Sequence, residues 1–600
     1  MNTPSRATGR TRSVLAPVKA LTTLDRSWAD FLCQQIPPTC DSHIWLAALT
    51  SHQWGRGHAC LDVAALQGDA AGLLGWTLAD AQALPVDWAE ALATLPWCEG
   101  DTSPLVVSAN RLYLRRAWRA EASIRQHLQA RHALGPVAVG PSSNGLDALF
   151  GPADAQAPQH SQRLACAMAL HQRTCIITGG PGTGKTTTVM RLLALLQAAH
   201  GTAPLRVLLA APTGKAAARL NASMAQAHAG LPADWKTALP GEAQTMHKML
   251  GWHGFSAPQK GTRQLHADVV VVDEASMIDL EMMARLLQAV PAQAHLVLLG
   301  DKDQLASVEA GAVMAQLCES PLLRDATATL THSHRFGHDS AIGQWAQAVN
   351  TGDRHRLQAL WQLAGTHSDP QAEGVSRWQG GTNQRAIWAP AQVARVRAGW
   401  SEWLHSMRGW NFSGSPWPDQ AACNDTQARQ CLNDFGRLGV LCALREGPWG
   451  VHAFNLGLAR SLGLPLGGWY AGRPVVVTRN DRALGLMNGD VGLCLYRAVN
   501  GKPILQVAFA DGTDGVRWVS PTRLEHVDTA LAMTVHQSQG SEFERVLLVL
   551  PERDAPVLSR ELIYTGITRA RHSLGLWVPE PQVWWMACAR VTQRSGGLSH

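Results

Sequence analysis

Gly179-Gly180-Pro181-Gly182-Thr183-Gly184-Lys185-Thr186 has the residue types and spacing of a loop that wraps a polyphosphate. Its glycines let backbone N–H groups curl round a phosphate at a helix N-terminus, where negative charge is favoured. Lys185 offers a point charge to the β- and γ-phosphates, and the Thr186 hydroxyl can ligate Mg²⁺. The flanking residues fit. The apolar run Thr174–Thr178 reads as a strand, and Val189, Leu192, Leu193 and Leu196 share one face of the helix that follows.

About 87 residues later, four valines end in Asp273-Glu274. Alone, an apolar run ending in acids is a weak signal; after a complete phosphate loop it becomes strong. Asp273 can hold Mg²⁺ through water, and Glu274 can take a proton from an attacking water. In Leu299-Gly300-Asp301-Lys302-Asp303-Gln304-Leu305, Gln304 is placed to sense a terminal phosphate or to position that water. Gln162 lies 17 residues before Gly179 and carries one donor and one acceptor, which suits an adenine edge. Arg335, Arg445 and Arg569 follow on later segments. Planar, permanently charged guanidinium groups suit the charge that develops on a γ-phosphate. An arginine delivered from a second domain makes hydrolysis depend on domain closure.

These residues need elements to hold them. Between 151 and 350 short β-rich runs (Thr174–Thr178, Arg206–Ala210, Val269–Val272, Leu296–Leu299) alternate with helical stretches, the rhythm of a parallel α/β sheet. Each run gives way to polar or glycine-containing residues, where an open α/β sheet presents its ligand loops. Residues 433–600 return to α/β. Within them, about 483–527, Val491–Tyr496, Ile504–Phe509 and Val516–Ser520 read as a β-meander with Asn-Gly and Asp-Gly turns, a small inserted barrel. Residues 351–432 read as a partly irregular insertion or linker. From 362 on they are rich in Gly, Ser, Gln and Asn and carry Trp378, Trp388, Trp400, Trp403, Trp410 and Trp417. Residues 1–150 are mainly helical and hold no chemical motif; the helix around Tyr113, Arg115, Arg116 and Trp118 has the residue types of an interface hot spot.

The bulk numbers are permissive. Hydrophobic residues make up 46% and the net charge is +6, which suits a folded protein compatible with nucleic acid. The twelve cysteines include no C-x-x-C, so a zinc ribbon is excluded and buried free thiols in a reducing compartment are expected. No run of 18 apolar residues and no signal-peptide pattern occurs, so the expectation is a cytoplasmic chain with no membrane span.

Further blocks carry a resemblance. They are Ala211-Pro212-Thr213-Gly214-Lys215-Ala216-Ala217, Thr245-Met246-His247, Gly300 to Leu305, Ser333-His334-Arg335-Phe336, Met533 to Glu542 and Tyr564 to Arg571. In this order they resemble the motifs of the superfamily 1 DNA helicases. Leu441 to Gly450, Arg479-Asn480-Asp481, Leu486 to Asp490 and Leu112-Tyr113-Leu114 look like the RecD family, the alpha subunits of exodeoxyribonuclease V. The specific motifs cover about 160–350 and 433–578, and the likeness is weak over 1–150.

The resemblance implies two RecA-like P-loop NTPase domains with an SH3-like β-barrel in the second and a partner-docking N-terminal domain. It implies ATP and Mg²⁺, 5′→3′ travel on single-stranded DNA, and action at double-stranded DNA ends in break processing and recombination. It further implies RecB-like and RecC-like subunits in a heterotrimer. It assigns Gln162 to adenine, Gly179 through Thr186 to phosphate, Thr186 and Asp273 to metal, and Glu274 to water. Gln304, Arg335 and Arg569 go to the γ-phosphate, Glu542 to the ribose, and Thr213, His247, Thr534 and His536 to DNA. Gln537 stands where this family has lysine, and Gly566 where it has alanine.

Three rival readings stay open on the residues: a scaffold with a silent ATP site, a longer stand-alone helicase, and an RNA helicase. Of eight lysines only Lys236 has an acid two residues before it, Asp234, and that pair lies in a Pro-containing loop. A nuclease site is therefore expected in another chain.

Overall fold

The computed structural model describes residues 11, 13–16, 18–137, 143–236, 241–251, 264–307, 309–337, 340–365, 373–378, 390–406, 422–481, 483–512 and 515–599. Its N-terminal region joins helices, among them Thr23–Gln35, Asp41–Gly55 and Arg115–Ala133, to a small antiparallel sheet of β1 (Cys60–Asp62), β2 (Leu105–Ser108) and β3 (Arg111–Leu114). Ala117, Ala120, Ile124 and Leu128 recur with helical period along Arg115–Ala133 and pack into the core of the domain that follows. Arg131, at the end of that helix, donates to the backbone oxygens of Pro291 and Arg173, both at 2.7 Å. The region is thus welded to its neighbour. Tyr113 is buried, Arg116 lies over the Trp54 ring at 4.3 Å, and Trp118 packs on the same core. Of the residues with interface character, Tyr113 and Trp118 therefore pack on the adjoining domain, while Arg116 keeps an exposed side chain.

Val269–Val272 is buried on both faces, as a central strand of a parallel sheet must be. The first large sheet comprises β4 (Thr174–Gly179), β5 (Val207–Ala211), β6 (Gln244–Thr245), β7 (Val269–Val272), β8 (His295–Gly300) and β9 (Thr327–Leu330). It is parallel throughout, in the order β6-β5-β7-β8-β4-β9. The register pairs Thr178 with Gly300, Val272 with Leu298 and Ala210 with Val272. The loops after β4, β8, β7 and β5 therefore leave one edge side by side.

The second parallel sheet begins with β10 (Gly374–Trp378) and β11 (Leu438–Cys442). The chain then builds an antiparallel insert: β12 (Pro474–Val477), β13 (Val491–Val499), β14 (Lys502–Asp511), β15 (Gly515–Val519) and β16 (Val527–Thr529). It returns through β17 (Met533–Thr534), β18 (Phe543–Val549) and β19 (Ala570–Trp577). The sheet order is β10-β19-β18-β11-β17, and that of the insert is β15-β14-β13-β12-β16. The sequence meander is β13–β15; β12 and β16 flank it and complete a core of Val475, Val477, Cys494, Val507, Phe509 and Val519.

Part of the stretch read as irregular is ordered. β10 pairs in parallel with β19, and helices Pro390–Gly399 and Ser401–Ser406 lie against the second domain. Trp378, Trp400 and Trp403 are buried, with Trp403 meeting Phe435 at 5.1 Å and Trp378 meeting Trp577 at 5.8 Å. Widely spaced tryptophans supply the apolar area that the polar composition hid. Trp388, Trp410 and Trp417 lie outside the described residues.

After helix Pro581–Ala589 the chain turns back as a strap. Arg590 and Thr592 hold to the second domain, through Asp554 at 3.0 Å and Glu561 at 3.1 Å. Two residues on, Arg594 donates to the Ser307 carbonyl of the first domain at 2.7 Å. Ser595 accepts from Ala59 N at 2.8 Å, Gly597 N donates to Glu121 at 3.0 Å, and Leu598 is buried in the first domain's core. Among the described residues no helix is long and apolar enough to cross a membrane.

Candidate nucleotide and nucleic-acid site

The phosphate loop joins β4 to helix Lys185–His200. Gly182 and Gly184 are left-handed, with φ of +77° and +81°. A Cβ at Gly182 would meet Arg335 Cβ at 2.3 Å, and one at Gly184 would meet Gln162 Nε2 at 2.5 Å. Glycine is thus required there twice over, by backbone angle and by space. Lys185 Nζ donates across the loop to the carbonyls of Gly179 at 2.7 Å and Gly180 at 3.1 Å.

The loop opens on a cavity of about 560 Å³ between the two sheets. Pro181 to Thr186, Asp273, Glu274, Asp301, Gln304, Arg335, Glu542 and Arg569 all line it. Burial, and next the adjoining Glu274, push the Asp273 carboxyl up to about 6. Asp273 accepts from Glu274 N at 2.8 Å, and Glu274 itself sits in a left-handed conformation, φ 52°. Such strain in a non-glycine residue marks a position held by its surroundings. One carboxylate and one hydroxyl, Asp273 and Thr186, form a partial donor set. Such a set suits Mg²⁺ that arrives with a nucleotide and keeps waters, not an all-protein cage.

Arg569 comes from the second domain and is 2% exposed. It donates to Gln304 Oε1 at 3.0 Å, to the Ser541 carbonyl at 3.1 Å and to the Thr565 carbonyl at 3.2 Å. Gln304 in turn donates to Asp301 at 3.1 Å, and the Tyr564 hydroxyl donates to Asp301 at 3.0 Å. A buried chain of hydrogen bonds therefore crosses the domain boundary within the cavity. Arg335 donates to Glu542 at 2.8 Å while its other terminal nitrogen, Nη1, is buried without a partner. Burial, reinforced by Arg219, Arg571 and Arg569, lowers Arg335 to about 9. This corner has an excess of positive charge.

Not every sequence candidate arrives. Arg445 is exposed and pairs with Asp528 of the insert at 3.3 Å, so it does not join Arg335 and Arg569. Gln162 is buried under the loop, donating to the Thr183 carbonyl at 3.0 Å and accepting from Arg191 at 3.3 Å. It braces Gly184 and is not part of the cavity wall. Asp234 and Lys236 are exposed at the short turn Ala233–Trp235, not after a strand. Asp301, His334 and Tyr564 entered the sequence reading with no role of their own, and Arg219 did not enter it; all but Tyr564 line the cavity. Arg219 had a signal: Ala216, Arg219, Ser223 and Gly230 form one small or polar stripe at helical spacing.

The four candidate DNA residues stand apart from the phosphate loop. Thr213 caps helix Gly214–Ala229, accepting from Ala216 N at 3.2 Å. His247 lies in the turn Met246–Met249, next to Thr245, which pairs with Ala211. Thr534 ends β17, and His536 follows two residues on, partly buried. Gln537 accepts from Thr534 N at 3.0 Å while its own N–H donates to Thr534 Oγ1 at 3.1 Å. A lysine could not close this reciprocal turn, so the departure at 537 exchanges a charge for a fixed Thr534. At Gly566 a Cβ would meet Leu548 at 2.8 Å, so the departure there is one of packing.

Two parallel sheets facing each other across a phosphate loop, with an arginine of the second inserted into the site of the first, define a P-loop ATPase of the superfamily 1 helicase type. Family models agree region by region: "AAA domain" matches 162–310 and "UvrD-like helicase C-terminal domain" matches 529–577. A third, "RecBCD enzyme subunit RecD, N-terminal domain", matches 18–113. The chain is 38% identical over 578 residues to RecBCD enzyme subunit RecD of Mycolicibacterium smegmatis, covering 93% of each. It is 33% identical to that subunit of Haemophilus influenzae, covering 86% of this chain and 84% of the relative. Against the ATP-dependent RecD2 DNA helicase of Deinococcus radiodurans it is 29% identical and spans 59% of that longer protein. The chain belongs to the RecD family.

Proposed function

We propose that this chain is an ATP-driven 5′→3′ translocase on single-stranded DNA. In this reading it is the alpha subunit of an exodeoxyribonuclease V, working at double-stranded ends in break repair and recombination. The observation that carries the motor reading is the bond from Arg569 of the second domain to Gln304 of the first, inside the cavity of Lys185 and Asp273.

Lys185 and the loop amides bind the phosphates, and Thr186 and Asp273 hold Mg²⁺. Glu274 draws a proton from water, while Gln304, Arg335 and Arg569 stabilise the γ-phosphate. Because Arg569 belongs to the second domain, turnover requires closure. Closure shifts Thr534 and His536 relative to Thr213 and His247, and alternating grip moves the strand. RecB-like and RecC-like chains complete the heterotrimer and supply the nuclease. Exposed Leu24, Phe31 and Ile36 on and just after helix Thr23–Gln35 support a docking face there. The family's cytoplasmic setting suits twelve free thiols.

The experiment is unwinding of duplexes with one single-stranded tail, in the assembled complex, with and without Lys185→Ala. The substitution should remove unwinding from 5′ tails; loss from 3′ tails with 5′ tails spared would reverse the assigned polarity.

A further inference from the structure

Glu542 is held by three arginines. Arg335 and Arg219, from the first domain, both reach Oε1, the former at 2.8 Å. Arg571, beside it in the second domain, binds Oε2 at 2.8 Å. The carboxylate is 6% exposed. Its hydrogen-bonding capacity is filled by guanidinium groups, so no acceptor site is spare while the arginines hold it. Arg219 also feels Glu274 and Asp273, whereas Arg335 Nη1 is buried with nothing to donate to.

Arg219 stands on helix Gly214–Ala229, whose first turn is capped by Thr213. The Arg219–Glu542 pair lines two cavities. One holds Lys185, Asp273 and Arg569. The other, about 680 Å³, is bordered by Lys215, Thr245 and Lys248. The pair is the partition between them and ties the first domain to the second.

We propose that Glu542 is a resident competitor for the γ-phosphate. When ATP binds, the terminal phosphate takes Arg335 and Arg219 from Glu542. Arg219 then acts as a positioning residue: its shift moves the helix that begins at Thr213, and so links phosphate occupancy to the grip on the strand. No bond is made or broken; one anion replaces another as the partner of two guanidinium groups. This rests on the reading of the chain as a DNA-stimulated ATPase.

The test is steady-state ATPase of the full chain with and without an oligothymidylate, for Glu542→Gln, Arg219→Ala and Arg219→Lys. Glu542→Gln should lower KM for ATP without DNA by roughly tenfold, the scale of one charge-assisted hydrogen bond. Arg219→Ala should cut the stimulation by DNA roughly tenfold or more, and Arg219→Lys should restore part of it. Thermal melting separates a folding defect from these effects, and the lysine variant carries the test if alanine does not fold. An unchanged or raised KM for Glu542→Gln would overturn the proposal, as would stimulation within twofold of wild type in Arg219→Ala. Absence of stimulation in the wild-type chain would instead refute the motor reading.

Discussion

Arg569→Ala removes three donors from a buried site at once. The acceptors left behind are Gln304 Oε1 and the carbonyls of Ser541 and Thr565, at 3.0, 3.1 and 3.2 Å from the guanidinium. An unsatisfied buried acceptor costs about 1–3 kcal/mol. Two of the three bonds stay inside the second domain and water can refill part of the hole, so the fold should weaken by about 2–4 kcal/mol. The larger effect is on rate. An arginine aimed at a transferring phosphoryl group is worth roughly 10³–10⁵ in turnover, or about 4–7 kcal/mol. Lysine keeps the charge but cannot bridge Gln304 and Ser541 together, so Arg569→Lys should recover no more than about tenfold. Gln304→Ala should be strongly non-additive with it, since the two side chains touch. The assay is kcat for ATP at saturating single strand, with melting as the control. A folded Arg569→Ala variant that loses less than tenfold in kcat would refute the idea that closure delivers this arginine.

Lys185→Ala and Glu274→Gln should each abolish ATP turnover with melting temperature unchanged within a few degrees; measurable turnover in Glu274→Gln would show that another group takes the proton. Thr534→Ala with His536→Ala should weaken single-strand binding and the stimulation of ATPase while nucleotide binding persists, which fluorescence anisotropy and nucleotide titration can check. Phe31→Asp should end co-purification with the partner chains and leave DNA-stimulated ATPase in place; an intact complex would move the docking face elsewhere. His58 is buried, accepts from Ser595 N at 3.0 Å and is lowered by burial, with help from Arg56 and Arg594, to about 3. Its folded value lies below the unfolded 6.5, so its contribution is complete above pH 6.5 and is lost as pH falls toward 3. At pH 5 that is about 2 kcal/mol. Amide exchange in residues 594–598 should therefore quicken between pH 7 and 5 once intrinsic rates are corrected, and an unchanged protection would reject the linkage.

What could be read from sequence was what is local. The phosphate loop and Asp273-Glu274 are each a strand, a turn and a few side chains, so spacing alone carries the chemistry. Gln304, Arg335 and Arg569 needed the family's motif order, because nothing within a few residues of them shows that they meet. Arg445 came with the same argument and does not meet them: its partner, Asp528, is 83 residues away in the insert. Arg219 was passed over because its significance depends on Glu542, in the other domain. Tyr113 and Trp118 looked like a binding surface for the same reason that core and interface favour the same residue types; only the third dimension separates the two. The ordered part of 351–432 was hidden by polar composition, since three tryptophans bury what a whole strand of valines would.

The strap changes the kinematics of the molecule. The chain passes between the two large domains at two points. One is around Arg335, between His334, whose N–H donates to Gly182 at 2.9 Å, and Phe336, which packs on the second domain. The other lies between Thr592 and Arg594. Each crossing is a residue or two long, too short to extend. Two short links favour one motion between the domains, rotation about the line that joins them, as a door turns on two pins. Groups near that line travel little and groups far from it travel most. Arg335 sits on a pin, so it holds station beside the phosphate loop whatever the angle, and the opening of the site is measured by Arg569. On the proposed reading, in which Thr534 grips the strand, the lever arm from pin to Thr534 sets the travel per closure, so lengthening the strap with glycines between Thr592 and Arg594 should let ATP be consumed without proportionate travel.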